Sequence, residues 1–335
     1  MAKITRVLLT IIFIIVAAIS GCSPKEEKGA LKQFEKITLA VTPWPASAPL
    51  YVAYEKGYFR EEGLDVTLHS YVAGHLGLDA VLSGRADFTT VGETPIARAA
   101  IDGKPLAVIA TVSVIDQAIL IIARRDRGIS AANDLRGKRI GLVTGTTADF
   151  FLHIYLTTSY INPKSIRVVN LAPDKVVDAL LNGEVDAVST WAPHTMALRD
   201  KLGPKGLIFH DPDIYIMTWN IVTTQDLIKK NPERVRKFLR AVLRANRFIK
   251  EAPDETRAIS AKYFGIDSFF FEREWKSYKF NTGLDQSLLL NLEDQARWLI
   301  KRDTGSNRKL PNFMDFIYAD GLKAIEPGAV RITGK

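Results

Sequence analysis

From Ile37 to about Pro212 the apolar positions of this chain fall into two recurring lengths. Short runs rich in Val, Ile and Leu, namely ITLAV (37–41), LAVIATV (106–112), AILIIA (118–123), RIGLV (139–143) and IRVVNL (166–171), predict buried strands. Between them apolar residues recur at helical spacing, as in Leu50, Ala53, Tyr54, Gly57 and Tyr58, or Phe150, Ile154, Tyr155 and Thr158. Alternation at this interval predicts βαβ units and an α/β fold with mainly parallel sheets. Beyond Pro212 the pattern changes to one strand, IYIMTWNIVTT (214–224), followed by helices. The clearest helix begins at Asn231-Pro232-Glu233, a cap, an N1 proline and an acidic first turn, and keeps Val235, Phe238, Leu239, Val242, Leu243 and Ile249 on one face. Its other face carries Arg236, Lys237, Arg240, Arg244 and Arg247, which reads as a solvated face first and as a docking surface for a partner or anionic lipid second. A further amphipathic helix is expected around Leu288 to Ile300, packed beside it.

One stretch occurs twice. DAVLSGRADF at 79–88 returns as DALLNGEVDA at 178–187, with five of ten letters in register. In each copy a helix is expected to end at a glycine, Gly84 or Gly183, where a left-handed residue is easiest without a β-carbon. A strand then starts at Ala86-Asp87-Phe88 or Val185-Asp186-Ala187 and runs into a helix start, Gly92-Glu93-Thr94-Pro95 or Trp191-Ala192-Pro193-His194. Two copies of a helix, strand, helix unit predict two α/β lobes.

The amino terminus has a different character. Lys3 and Arg6 precede Val7 to Ile19, thirteen residues apolar except for Thr10, and the run closes on Ser20-Gly21 before Cys22. A bilayer-spanning helix needs about twenty apolar residues, so this run reads as the core of an export signal, residues 1–21. Cys22 is the sole cysteine, and Ser20-Gly21-Cys22 resembles the lipobox of bacterial lipoproteins, in which the thiol carries the lipid anchor. The expectation is a protein anchored through Cys22 on the periplasmic or outer face of a membrane, with residues 22–36 as a charged, turn-prone tether. Folding starts near Ile37, and no disulfide can brace the body that follows. The formal charge of +8 falls to +6 without Lys3 and Arg6, 43 basic against 37 acidic residues. That surplus is scattered, with no basic arm or finger spacing, which argues against nucleic acid as a partner.

The signatures of common catalytic loops are absent: no Gly-x-Ser-x-Gly elbow, no Gly-Lys-Ser/Thr phosphate loop, no His-Glu-x-x-His. The turn from Gly141 to Gly145-Thr146-Thr147, between a strand and a helix, suits an anion at a helix start, or else Thr146 or Thr147 is only an N-cap. The five histidines show no metal-ligand spacing, so no metal is expected; His75 and His194 are read as donors on cleft lips or as ordinary packed side chains. Trp44 follows the first strand, Trp191 follows the strand of the second repeat, and Trp219-Asn220 interrupts an apolar strand. Ligands of open α/β sheets bind outside the carboxyl ends of the strands, so Trp44 and Trp191 would point there unless they are core. Glu93, at a helix start, serves the helix dipole or, if it faces the cleft, favours a ligand with an amine or N–H donor.

The run YEKGYFREEGLDV (54–66), Tyr71-Val72-Ala73-Gly74, the Leu-x-Gly-x-x-Asp of both repeats and Trp191-Ala192-Pro193 together resemble the periplasmic solute-binding proteins of ABC importers for taurine, aliphatic sulfonates and nitrate. The same superfamily includes binding proteins for thiamine-pyrimidine precursors. The resemblance spans about 37 to 325 and implies a type II two-lobe binding protein, with lobe 1 at 37–120 and 218–335 and lobe 2 at 121–217. It implies a monomer that holds a small-molecule ligand between lobes closing by hinge motion, uses no cofactor, catalyses nothing, and serves a membrane permease and ATPase. Carried over by position, the site comprises Trp44, Ser47, Gly74, His75, Gly92, Glu93, Thr94, Thr146, Thr147, Trp191, Trp219 and Asn220. Glu93 departs from the small polar residues common in that loop among sulfonate binders. Same-fold enzymes are one rival class, but the thiamine-pyrimidine synthases carry a cysteine-rich motif that this chain lacks, and menaquinone-pathway relatives are cytoplasmic; a binding protein that feeds a sensor rather than a permease is the second rival.

Overall fold

The computed structural model describes residues 34–264, 275–303 and 307–333. The expected signal segment, Cys22 and most of the tether lie outside the described residues. In chain order the first elements are β1 (Glu35–Val41), α1 (Ala48–Glu55), α2 (Tyr58–Glu61), β2 (Leu64–Ser70), α3 (Gly74–Leu82), β3 (Phe88–Val91), α4 (Glu93–Ile101) and β4 (Leu106–Ile115). Then come β5 (Ile119–Arg124), β6 (Arg139–Leu142), α5 (Thr147–Thr158), β7 (Arg167–Asn170), α6 (Val176–Leu181), β8 (Ala187–Trp191), α7 (His194–Leu202) and β9 (Gly206–Phe209). The remainder is β10 (Met217–Thr224), α8 (Gln225–Lys230), α9 (Pro232–Glu251), α10 (Pro253–Phe264), β11 (Tyr278–Asp285), α11 (Gln286–Arg302), α12 (Ala319–Lys323) and β12 (Val330–Arg331).

These strands form two sheets, a seven-stranded one ordered β12-β11-β4-β10-β3-β1-β2 and a five-stranded one ordered β7-β6-β8-β5-β9. The chain leaves the first sheet after β4 through residues 116–118 and returns after β9 through residues 210–216. The α/β two-lobe class is as expected, but the sheets are mixed rather than mainly parallel. β4 pairs antiparallel with β10 and β11, β10 with β3, and β5 with β8 and β9. The crossovers explain this. β4 leaves its sheet at the edge facing the other lobe and β10 enters at the same edge, so the two must run in opposite senses; β5 likewise enters where β8 ends, with Ile119 opposite Trp191. The expected strand at 214–224 starts only at Met217, because the residues before it are the return crossover.

Burial follows the sequence pattern. β4, flanked on both sides and covered on both faces, is buried over almost its whole length, which is why it reads as a continuous apolar run, whereas the edge strand β7 is largely exposed. The apolar face of α9 packs on the seven-stranded sheet, with Phe238 stacked on Phe88 at 4.2 Å between centroids. Its basic face is matched by acids: Arg236 with Glu233 at 2.6 Å, Lys237 with Glu35, Arg240 with Glu62 at 2.7 Å, Arg244 with Glu61 at 2.6 Å and Arg247 with Glu326 at 3.1 Å. Exposed pairs of this kind add little stability each, but they cancel the stripe of charge, so the solvated-face reading holds.

The repeated glycine and the aspartate after it have the same structural task in both copies. Gly84 and Gly183 adopt φ of 73° and 77°, closing α3 and α6 with Schellman-type bonds from Arg85 N–H to the Ala80 carbonyl and from Glu184 N–H to the Ala179 carbonyl. The aspartate that follows clamps the neighbouring strand. Asp87 accepts the Thr38 N–H at 2.7 Å and Asp186 accepts the Arg139 N–H at 2.9 Å, while each donates its own N–H to the carbonyl of that same residue. The repeat therefore fixes where β3 and β8 begin, and so where their far ends deliver the chain.

Candidate functional site

Those far ends meet. β1 leads to Thr42 and Trp44, β3 to Gly92, β6 to Thr146 and Thr147, and β8 ends on Trp191, all at one cavity of ≈ 40 Å³. Eight of the expected site residues line it: Trp44, Gly74, His75, Gly92, Thr146, Thr147, Trp191 and Trp219. Thr42, Ala73, Val91, Pro95, Ile119 and Met217 also line it and were not anticipated. Each adjoins an anticipated residue, directly follows β1 or opens a strand at a crossover, so the missed signal was the set of residues flanking a strand end.

Ser47, Glu93, Thr94 and Asn220 do not line the cavity; all four are fully buried behind it. Ser47 Oγ accepts the Trp219 indole N–H at 3.0 Å and lies 3.3 Å from Thr90 Oγ1, so it orients a wall residue. Asn220 bonds to Thr111 Oγ1 at 2.6 Å and Thr218 Oγ1 at 2.9 Å, bridging β10 and β4. Thr94 Oγ1 donates to Gln295 Oε1 on α11. Glu93 is the clearest departure from expectation. Its Oε1 accepts from Thr218 N–H at 2.6 Å, Thr218 Oγ1 at 2.9 Å and Asn291 Nδ2 at 3.1 Å, and its Oε2 from the Tyr215 hydroxyl at 2.7 Å. Burial pushes its carboxyl pKa up, and the donors around it pull only part of the way back. With its oxygens taken, Glu93 is a strut joining α4, the return crossover and α11, and it offers a ligand no carboxylate.

Three helix starts open on the cavity. Ala73, Gly92 and Thr146 are the N-cap residues of α3, α4 and α5, and none of the three caps its helix with a side chain. Thr146 occupies the cap position, yet its hydroxyl donates back to the Val143 carbonyl at 2.7 Å. The earliest N–H groups of a helix have no intrahelical acceptor, and the helix dipole places partial positive charge there, although the first turns of α4 and α5 also carry Glu93 and Asp149. Two glycines let the walls come this close. A β-carbon on Gly92 would sit 2.5 Å from Met217 Cε and 2.8 Å from Thr147 Oγ1, and one on Gly74 would sit 2.9 Å from the Trp219 ring.

The aromatic wall is built of Trp44 set edge-on to Trp219, centroids 4.7 Å apart at 88°, and to Tyr278 at 5.9 Å. Trp44 is 1% exposed, and its indole N–H has no acceptor among the described residues. A buried donor left unmet is costly, and this one borders the cavity. Burial lowers the pKa of His75, against an opposing pull from Asp79, so its imidazole is neutral near pH 7. His194, edge-on to Trp191 at 5.8 Å, lies outside the cavity lining. Among the described residues no aspartate, glutamate, lysine or arginine lines the cavity. A larger hollow of ≈ 760 Å³ beside the first crossover, bordered by Asp116, Arg199 and Lys276, holds none of the expected site residues.

Comparison with known proteins bears on the family and the fold. The taurine-binding periplasmic protein of Escherichia coli is 26% identical over 229 residues, 66% of this chain and 69% of that protein. The 4-amino-5-hydroxymethyl-2-methylpyrimidine phosphate synthase of Saccharomyces cerevisiae is 25% identical over 237 residues, 65% of this chain and 68% of that protein. Among solved structures, the periplasmic aliphatic sulphonate binding protein of Escherichia coli superimposes with a TM-score of 0.71 over 85% of this chain and 97% of that one, at 17% identity, which establishes the shared periplasmic binding protein fold. The family profile described as NMT1/THI5 like matches residues 44–256, most of the folded body and nearly every cavity wall, and the chain belongs to that family.

Proposed function

We propose that this chain is the exported, Cys22-anchored substrate-binding component of an ABC importer. It captures one small organic oxyanion, of the sulfonate, taurine or nitrate kind, between the lobe of residues 37–120 and 218–335 and the lobe of residues 121–217, and passes it to a permease and ATPase. The observation that carries this reading is the convergence, among the described residues, of three helix starts without a side-chain N-cap and an unmet Trp44 N–H on a cavity that no acidic side chain lines. Backbone N–H groups at helix starts bind anions without a counter-charge from arginine or lysine. Trp44, Gly74, His75, Gly92, Thr146, Thr147, Trp191 and Trp219 are the proposed ligand contacts. The cavity's ≈ 40 Å³ holds about three waters by volume, so an organic anion enters by parting the lobes about residues 116–118 and 210–216.

An enzyme on this fold would need a nucleophile or a positioned acid and base. The folded body has no cysteine, and Glu93, buried behind the cavity, has its oxygens occupied. Those facts favour binding without turnover. Isothermal titration of the full chain with taurine, propane-1-sulfonate, nitrate and a formyl-aminopyrimidine tests the reading. Binding of an oxyanion with the ligand recovered unchanged is expected; silence across the panel, or conversion of any member, overturns it.

A further inference from the structure

We propose that the ligand of this cleft carries no ammonium group: the site takes an organic oxyanion with an apolar body and rejects its amino-substituted counterpart. The inference rests on the oxyanion reading above and adds a selection within that class. The family contains proteins named for an amine-bearing sulfonate, and Glu93 is the residue that would have matched this chain to such a ligand. The structure removes that match. Glu93 accepts from Tyr215, Thr218 and Asn291 and lies behind the wall formed by Gly92 and Pro95.

The rest of the cavity is unfavourable to a cation for three separate reasons. No carboxylate lines it among the described residues, so an ammonium would leave water without a counter-ion. The starts of α3, α4 and α5 set partial positive charge around it, which favours the oxyanion head and opposes a second, positive group a few ångströms away. Its polar side chains are hydroxyls, indoles and the His75 imidazole, which offer an ammonium hydrogen bonds but no counter-charge, while Val91, Ile119 and Met217 add apolar surface. The faces of Trp44, Trp191 and Trp219 can attract a cation, but that attraction returns only a fraction of the hydration an ammonium gives up. An alkyl body makes the same ring contacts without that loss.

The test compares near-isosteric partners on the full chain by isothermal titration: propane-1-sulfonate against taurine, in which an ammonium stands where the terminal methyl was. The expected result is a dissociation constant about tenfold or more lower for propane-1-sulfonate. Equal or tighter binding of taurine overturns this inference while leaving the oxyanion reading intact. Failure of both sulfonates and of nitrate overturns the oxyanion reading, and this inference with it. A second measurement checks the cause: Met217→Glu sets a carboxylate at the cavity wall and is expected to narrow the ratio by about threefold or more. A folded Met217→Glu protein with an unchanged ratio shows that a missing counter-ion is not the reason, and overturns the account.

Discussion

Arg302, at the end of α11, pairs with Asp149 in the first turn of α5, so a side chain that follows the seven-stranded sheet holds a helix start of the five-stranded lobe. The same Asp149 carboxylate accepts the Gly145 N–H at 2.8 Å, one residue before the cavity wall at Thr146. The Arg302 guanidinium lies over Trp298 at 4.5 Å, and that ring meets Phe150 of α5 edge-on at 5.4 Å. Asp303 continues the chain of charge to Arg98 on α4. The pair is partly exposed, so screening limits its worth: an Arg302→Gln, Asp149→Asn double-mutant cycle followed by urea unfolding is expected to give a coupling of about 1 kcal/mol that shrinks with added salt. Strict additivity of the two changes would show that the pair contributes nothing as a strap.

Glu93 leads to a sharper expectation, because removing one partner of a buried network leaves the others unmet. Glu93→Ala strands the Tyr215 hydroxyl, the Thr218 N–H and the Asn291 amide in the interior, and is expected to cost about 2–4 kcal/mol. The pH dependence has a defined sign. Burial raises this carboxyl's pKa in the folded protein, so its stabilising effect is fullest in acid, below the ordinary glutamate range, and declines as pH rises through the raised folded value. The gap in midpoint between wild type and Glu93→Ala should therefore narrow from acid toward alkaline pH; a gap that widens would mean that the carboxylate form is the one the site prefers.

The strand ends and the repeat were legible because burial on both faces writes continuous apolar runs, and because a left-handed cap demands glycine. Trp44, Trp191, Thr146 and Thr147 could be placed from strand ends alone. The direction of Glu93 could not, since its partners Tyr215, Thr218 and Asn291 are 122 to 198 residues away and no local pattern announces them. Strand sense was missed for the same reason. β5 and β10 look like β1 and β6 in composition, and only the positions of the two crossovers make them antiparallel.

Asp186 allows the repeat to be tested as scaffold. Its carboxylate is held below the ordinary aspartate range first by the Arg139 guanidinium, bonded at 2.8 Å, and then by the Arg139 N–H. A depressed folded value gives stability that is present above the ordinary aspartate range and is lost as pH falls through the folded value. Asp186→Asn is expected to cost about 1–2 kcal/mol at neutral pH and progressively less in acid, with ligand affinity nearly unchanged. An affinity loss larger than the stability loss would mean that the clamp belongs to the site and is not scaffold alone.

Trp44 and Trp219 separate binding from folding, since both indoles border the cavity but, among the described residues, only that of Trp219 has its N–H accepted. In Trp219→Phe the bond to Ser47 is lost inside the protein, so the cost falls on stability. In Trp44→Phe the lost N–H had no protein acceptor, so the free protein sheds an unmet donor along with some ring area, and the two effects oppose each other. The ligand oxyanion is then the party deprived. A charge-assisted bond of this kind corresponds to about tenfold or more in affinity. Titration with the best-bound sulfonate, alongside thermal unfolding of both variants, should find Trp44→Phe weak in binding with nearly the parent midpoint, and Trp219→Phe the less stable of the two. If Trp44→Phe binds as the parent does, the indole N–H does not meet the ligand, and the oxyanion must be held by the helix starts and hydroxyls alone.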